Sequence, residues 1–191
     1  MPSALIHVYA GKLWAPGAGV PFFIGTLAPD CIRERADKDR LHLRLSDDRR
    51  GDLAKLLKLW GTEDQFRLGA LMHLYTDYLW DNGPMEAHKN SYRGDTWFAD
   101  YRSEISLASC YMYHLFDWAP PLWNEMDACP EEAYSSLEDY PAKKIKGYLD
   151  YNHMWLDTHD VGPSPAFPPE LVEEFCRAAA ESFEKFIKEE A

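Results

Sequence analysis

The sequence predicts an all-α fold, a single domain of about seven helices that spans residues 1–191. Apolar residues recur at helical spacing along most of the chain, and no stretch alternates apolar and polar residues as a half-buried strand does. Hydrophobic residues make up 46% of the 191 positions, which is enough for a sizeable core. The chain also has no glycine-rich phosphate loop and no internal repeat that would indicate another architecture.

The first third of the chain is predicted to contain two helices and a charged connector. Residues 3–14 form a short apolar helix, and residues 20–31 are an apolar run in which Pro29 forces a sharp exit. Residues 33–39 are highly charged and are expected to be solvated. Residues 47–60 have the spacing of an amphipathic helix.

A central helix over residues 62–81 is the strongest prediction, because this stretch is apolar on nearly every side and contains no proline. Thr62 and Gln65 have the spacing of a capping box at its start. His73, Asp77 and Asp81 follow one another at intervals of four residues, so they share one face of this buried helix.

The remainder is predicted to be a glycine- and proline-containing loop followed by further helices. The loop, residues 82–94, follows the central helix directly and is expected to border a cleft. A long helix over 97–118 is predicted to end at Pro120 and Pro121. Helical segments over 122–140, 143–156 and 169–189 complete the chain.

Several acids and histidines in apolar surroundings point to a metal site. Burying a carboxylate costs several kcal/mol unless a cation or hydrogen-bond donors compensate for it, and a metal ion is the simplest partner for Asp77 beside His73. His7, Asp30 and His42 also lie in or beside apolar sequence. Three imidazoles and two carboxylates suit zinc or a pair of divalent ions. The alternatives are a hydrogen bond between His73 and Asp77, an arginine partner, or histidines that are satisfied core residues.

Four segments resemble the zinc-dependent phospholipase C family and its smaller bacterial and archaeal relatives. They are His7 in the first helix, FFIGTLAPD ending at Asp30, KDRLHLR with His42, and GALMHLYTDYLWD with His73 and Asp77. They span residues 7 to 81, under half of the chain, in the family's order. The resemblance implies a multi-helix bundle of the phospholipase C type whose helices direct ligands into a cleft.

The resemblance also implies a role for each of these residues. His42, His73 and Asp77 would hold one ion, and His7 would share a second ion with Asp77 as the bridge. Asp30 would be an ion ligand or the catalytic general base that orients the attacking water. The expected cofactor is zinc, about one to three ions with two favoured, and other divalent transition metals suit the same donors.

The sequence departs from the family at the ligands of a further ion. Asp81 lies one turn after Asp77, but Gly83 occupies the position where the family has a histidine. His88 in the predicted loop, and His114 with Asp117 on the next long helix, are the candidate substitutes.

The expected function is a zinc-dependent hydrolase of phosphoric esters that acts on a small phosphoester or a lipid-like substrate. Two alternatives remain open: a non-catalytic helical domain with a structural metal, and a plain helical interaction module. The sequence leaves the oligomeric state undetermined.

Charge and targeting features restrict the partners. The formal net charge of −12 argues against nucleic acid as a stable partner, since its phosphates would be repelled. The N-terminus lacks the features of a signal peptide, and no stretch has the apolar length of a transmembrane segment. The four cysteines are scattered without a zinc-knuckle spacing, so a cytoplasmic location is expected.

Overall fold

The computed structural model describes residues 1–134, 137–159 and 162–191, and within these ranges the chain is helical without any β-strand. This confirms the predicted all-α class. Two short 3-10 turns, Ala28–Cys31 and Glu131–Ala133, accompany the α-helices. In chain order the helices are α1 (Ala4–Trp14), α2 (Val20–Gly25), α3 (Arg35–Leu41), α4 (Arg49–Trp60), α5 (Gln65–Asp81), α6 (Pro84–Ser91), α7 (Trp97–Leu115), α8 (Ala119–Ala128), α9 (Ala142–Thr158) and α10 (Pro169–Glu190).

The described ranges contain more helices than the predicted seven because several are too short to show a period in the sequence. Helix α3 lies in the stretch predicted to be a solvated connector, and α6 lies in the predicted loop. Pro120 and Pro121 belong to the first turn of α8, where a missing N–H is tolerated, while α7 already ends at Leu115. Ser135 and Ser136, within the predicted segment 122–140, lie outside the described residues.

The start of α5 differs from the predicted capping box. Asp64 is the N-cap, and its carboxylate accepts a hydrogen bond from the backbone N–H of Arg67 at 3.0 Å. The side-chain oxygen of Gln65 accepts a hydrogen bond from the backbone N–H of Gly19 instead. Gln65 therefore connects α5 to the start of α2 rather than closing a box with Thr62.

Helices α2 and α5 approach each other closely enough to require glycine on both. A Cβ atom on Gly69 of α5 would lie 2.0 Å from the carbonyl oxygen of Phe22, and one on Gly25 of α2 would lie 2.2 Å from that of Phe66. Any side chain at either position would push the two helices apart. This contact places the end of α2, with Thr26, directly against the face of α5 that carries His73.

The other helices enclose this pair. Helix α10 packs along α1, while α4 and α1 pack against α5. The 3-10 turn Ala28–Cys31 packs against α9. Among the described residues, no helix is both long enough and apolar enough to cross a membrane. All four cysteines are free thiols, as expected for a chain without a disulfide framework.

Candidate metal centre

The structure brings the five predicted ligands into one cluster inside the protein. His7 comes from α1, Asp30 from the 3-10 turn after α2, His42 from the end of α3, and His73 and Asp77 from α5. His7, His42, His73 and Asp77 are fully buried, and Asp30 is 5% exposed. Two overlapping groups have ligand atoms close enough together for one ion: His42 with His73 and Asp77, and His7 with Asp30 and His73.

Backbone carbonyls fix the orientation of two of the imidazoles. Nδ1–H of His73 donates to the carbonyl oxygen of Thr26 at 2.8 Å, and Nδ1–H of His42 donates to that of Lys38 at 2.8 Å. Because a carbonyl can only accept, each Nδ1 carries a proton, and a ring in its neutral form therefore presents a lone pair at Nε2. Metal-binding histidines are commonly held in this way.

The Nε2 atoms of His42 and His73 lie 3.3 Å apart, with Oδ2 of Asp77 at 3.6 Å from the first and 3.9 Å from the second. Ligand atoms about 2.0–2.1 Å from a tetrahedral zinc ion are about 3.3–3.4 Å from one another. Two lone pairs that face each other at this distance repel unless a proton or a cation lies between them. The three side chains therefore fit a metal ion in both donor type and spacing.

His7 faces the other carboxylate oxygen of Asp77. Its Nε2 is 3.4 Å from Oδ1 of Asp77, and its ring stacks on that of His73 with centroids 3.7 Å apart. Among the described residues, no hydrogen-bond partner is present for Nδ1 or Nε2 of His7 or for Oδ1 of Asp77. Buried polar atoms without partners are costly, so these three atoms also fit an additional cation. Asp77 thus directs Oδ2 to His42 and His73 and Oδ1 to His7.

Asp30 is held by residues that the sequence did not single out. Nζ of Lys38 lies 2.9 Å from Oδ1, and the hydroxyl of Tyr148 on α9 donates to Oδ2 at 3.2 Å. The Nε2 atom of His42 is 3.4 Å from Oδ1. The lysine lies in the charged connector and the tyrosine is distant in sequence, so no local pattern indicated either contact.

The surroundings of Asp30, Asp77 and His73 favour the protonation states in which these three side chains can bind a metal ion. Burial would raise the pKa of Asp30, but Lys38 and the imidazole of His42 outweigh it and hold this pKa well below its usual range. Burial would likewise raise the pKa of Asp77, yet His7, the amino terminus and His73 lower it. Burial, reinforced by His7, lowers the pKa of His73 well below its ordinary value. Two carboxylates and a neutral imidazole result at neutral pH.

A positively charged side chain of the protein itself lies beside Asp77. Nη2 of Arg44 lies 3.3 Å from Oδ2 of Asp77, the same oxygen that faces His42 and His73. Leu43, between Arg44 and His42, has a left-handed backbone with φ of 57°, and this reversal directs both neighbours to Asp77. An arginine partner for Asp77, one of the alternatives open at the sequence level, is therefore present beside the candidate ligands.

The structure does not bring the four candidates for a further ion to the cluster. Asp81 pairs with the amino group of Met1 at 2.6 Å and with Nη1 of Arg49 at 2.9 Å. His88 is 3.2 Å from Asp100, because α6 turns it toward α7. His114 and Asp117 are exposed at the end of α7 and just beyond it. None of them belongs to a ligand group among the described residues.

A cavity of about 210 Å³ reaches the cluster from the side of Asp30. Lys38, Tyr148, Ser109 and Arg102 are among its lining residues. Asp30 is the cluster's most exposed member and is also the one that lines this cavity, so water can approach the centre from here.

Comparisons of the chain with protein-family models, with curated proteins and with solved structures gave no match. The geometry of the cluster must therefore support any functional conclusion by itself.

Proposed function

We propose that this protein is a metal-dependent hydrolase of phosphoric esters, in which His42, His73 and Asp77 hold a divalent ion, by preference zinc. The supporting observation is the pair of Nε2 atoms 3.3 Å apart, each on a ring whose Nδ1–H is bound to a backbone carbonyl. If both rings are neutral, two buried lone pairs face each other beside a carboxylate, and this arrangement needs a proton or a cation between the two nitrogens. A shared divalent cation meets that need and takes all three side chains as ligands.

A second ion is supported by His7 and the remaining oxygen of Asp77. Both nitrogens of His7 and Oδ1 of Asp77 are buried and have no hydrogen-bond partner in the described part of the chain. A carboxylate with one oxygen directed to each ion is the usual bridge in two-metal sites. The proposal therefore keeps two ions and a phospholipase C-like hydrolase, as the sequence resemblance implies.

Asp30 is the candidate general base. A divalent ion held at this centre would supply Lewis acidity, which would lower the pKa of a bound water toward neutrality and offset charge on phosphoryl oxygens. Lys38 and Tyr148 fix the Asp30 carboxylate in its ionised form, facing the cavity through which water can enter. An ionised carboxylate at that position can accept the proton of an attacking water.

A second candidate function is a non-catalytic helical domain with a structural metal. The full burial of His7, His42, His73 and Asp77 favours it, because a catalytic ion needs an open position for water or substrate. The third candidate, a metal-free interaction module, is favoured by Lys38 and Arg44, which already place positive charge on Asp30 and Asp77.

Hydrolysis of bis(4-nitrophenyl) phosphate by zinc-loaded and chelator-treated protein distinguishes these functions. We expect hydrolysis only with metal, and a loss of about 10²–10⁴-fold in Asp30→Asn with its zinc retained. Asp117→Asn is the matched control, because it makes the same change at an exposed position and should keep the wild-type rate. Bound zinc without hydrolysis would support the structural metal, and a folded protein without affinity for metal would support the interaction module.

A further inference from the structure

A second cavity lies on the Arg44 side of the metal centre. It has a volume of about 410 Å³, within the range of about 300–1,000 Å³ that is typical of small-molecule sites. We call it the arginine cavity because Arg35, Arg44 and Arg102 line it. The substrate-binding residues could not be predicted from the sequence, and these arginines were not among the candidate site residues.

The charge of the arginine cavity is opposite to that of the protein. The whole chain carries a formal charge of −12, yet the charged side chains of this cavity are three arginines and one aspartate. The aspartate, Asp81, already pairs with Arg49, with the amino group of Met1 and, at 3.5 Å, with Nε of Arg44. Arg35 and Arg44 both contact Asp39, whereas Arg102 forms no ion pair with any described residue. The cavity thus offers a guanidinium group to an anion from outside.

The opposite wall of the arginine cavity is apolar. Met85, Trp97, Phe98 and Tyr101 line it, and the rings of Phe98 and Tyr101 stack with centroids 6.1 Å apart. Phe98 remains 51% exposed although it is large and apolar. An exposed aromatic side chain at the edge of a cavity gains by packing against an apolar part of a ligand.

Arg44 and Arg102 connect this cavity to the metal centre. Nη2 of Arg44 is 3.3 Å from Asp77, so an anion that binds Arg44 lies beside the metal-binding carboxylate. Arg102 and Met1 line both the arginine cavity and the smaller cavity at Asp30, so the two cavities adjoin there. An anionic group between the two arginines is therefore near both the candidate ligands and the candidate base.

We propose that the arginine cavity binds an organic phosphate whose phosphoryl group contacts Arg44 and Arg102 and whose apolar or aromatic part packs against Trp97 and Phe98. This inference rests on the proposed hydrolase function and names its substrate class. Guanidinium groups bind phosphate oxygens through paired hydrogen bonds, and aromatic rings supply the preference for an apolar group.

Calorimetric titration with phenylphosphonate and methylphosphonate tests this assignment, since the two probes share a head group and differ in the ring. The titrations use the protein as purified and again after treatment with chelator. We expect phenylphosphonate to bind more tightly. Arg102→Ala should weaken both probes by about tenfold or more, and Phe98→Ser should weaken phenylphosphonate alone. Arg177→Ala, which removes an exposed arginine from α10, is the matched control and should change neither.

Equal affinity for the two probes, no binding of either, or the same response of Arg102→Ala and Arg177→Ala would each overturn the proposal. Failure of the hydrolase function is distinguishable from this result. A protein that hydrolyses no ester but binds phenylphosphonate through Arg102 and Phe98 would contradict the catalytic function and support the binding site. Metal-dependent hydrolysis at the same rate in Arg102→Ala and Phe98→Ser would support the catalytic function and contradict the binding site.

Discussion

Replacing Gly69 by alanine tests how the fold positions His73. Gly69 lies one turn before His73 on α5, and its Cβ would be 2.0 Å from the carbonyl oxygen of Phe22 and 3.0 Å from the backbone nitrogen of Thr26. Ordinary contact begins near 3.4 Å, so α2 must move by roughly 1.4 Å. The carbonyl group of Thr26 moves with α2, so it no longer accepts the 2.8 Å hydrogen bond from Nδ1–H of His73.

The expected cost of Gly69→Ala follows from two opposing effects. Alanine is favoured over glycine inside a helix by about 0.5–1 kcal/mol, while overpacking a close helix contact costs about 1–3 kcal/mol. We expect the free energy of unfolding to fall by about 1–2 kcal/mol. Loss of the carbonyl that orients His73 should also weaken zinc binding by about 10–100-fold.

Urea unfolding of the chelator-treated protein measures the first effect, and zinc titration against a chelating dye measures the second. Gly147→Ala is the matched control, because a Cβ at that position of α9 meets no atom within 4 Å. It should raise the free energy of unfolding by about 0.5–1 kcal/mol and leave zinc affinity unchanged. If Gly69→Ala behaves like Gly147→Ala in both measurements, the α2–α5 contact does not fix His73.

Three further predictions address the centre and its surroundings. Asp77→Asn should remain folded by circular dichroism but lose an ion and nearly all phosphodiesterase activity, because the negative charge that faces His7 on one side and His42 and His73 on the other is gone. Full metal content with the wild-type rate would show that Asp77 is a structural residue. Tyr148→Phe should lower the hydrolysis rate about tenfold at unchanged zinc content, and an unaltered rate would count against Asp30 as the base. Asp48→Ala removes the N-cap of α4 and should cost about 1 kcal/mol of stability in urea unfolding; unchanged stability would contradict the capping role of Asp48.

The sequence could predict the convergence at the cluster because four of its members interrupt apolar sequence and the fifth, His42, lies between two leucines. His73 and Asp77 share a face of a helix that is otherwise buried, and His7 and Asp30 lie in apolar stretches that must enter the core. Polar residues in such positions are rarely left there without a partner. Their assignment as ligands stays a prediction, but their meeting in space follows from burial.

Residues with ordinary surface sequence patterns could not be predicted in the same way. Lys38 and Arg44 belong to a charged stretch that resembles a solvated connector, yet the chain reversal at Leu43 turns this segment toward the core. Helical spacing correctly predicted that Asp81 lies near Asp77, but it could not show that Asp81 forms an ion pair with Arg49. Side-chain pairing between distant segments depends on tertiary packing, which no local sequence pattern predicts.

Elemental analysis of the purified protein tests the central claim most directly, since the claim is that His42, His73 and Asp77 bind a divalent ion. We expect about one or two transition-metal ions per wild-type chain, as purified or after zinc titration, and a clear deficit in His73→Gln with helicity retained. His114→Ala, which removes an exposed histidine, should match the wild type. A well-folded wild-type protein that contains no transition metal and takes up none on titration would contradict the claim.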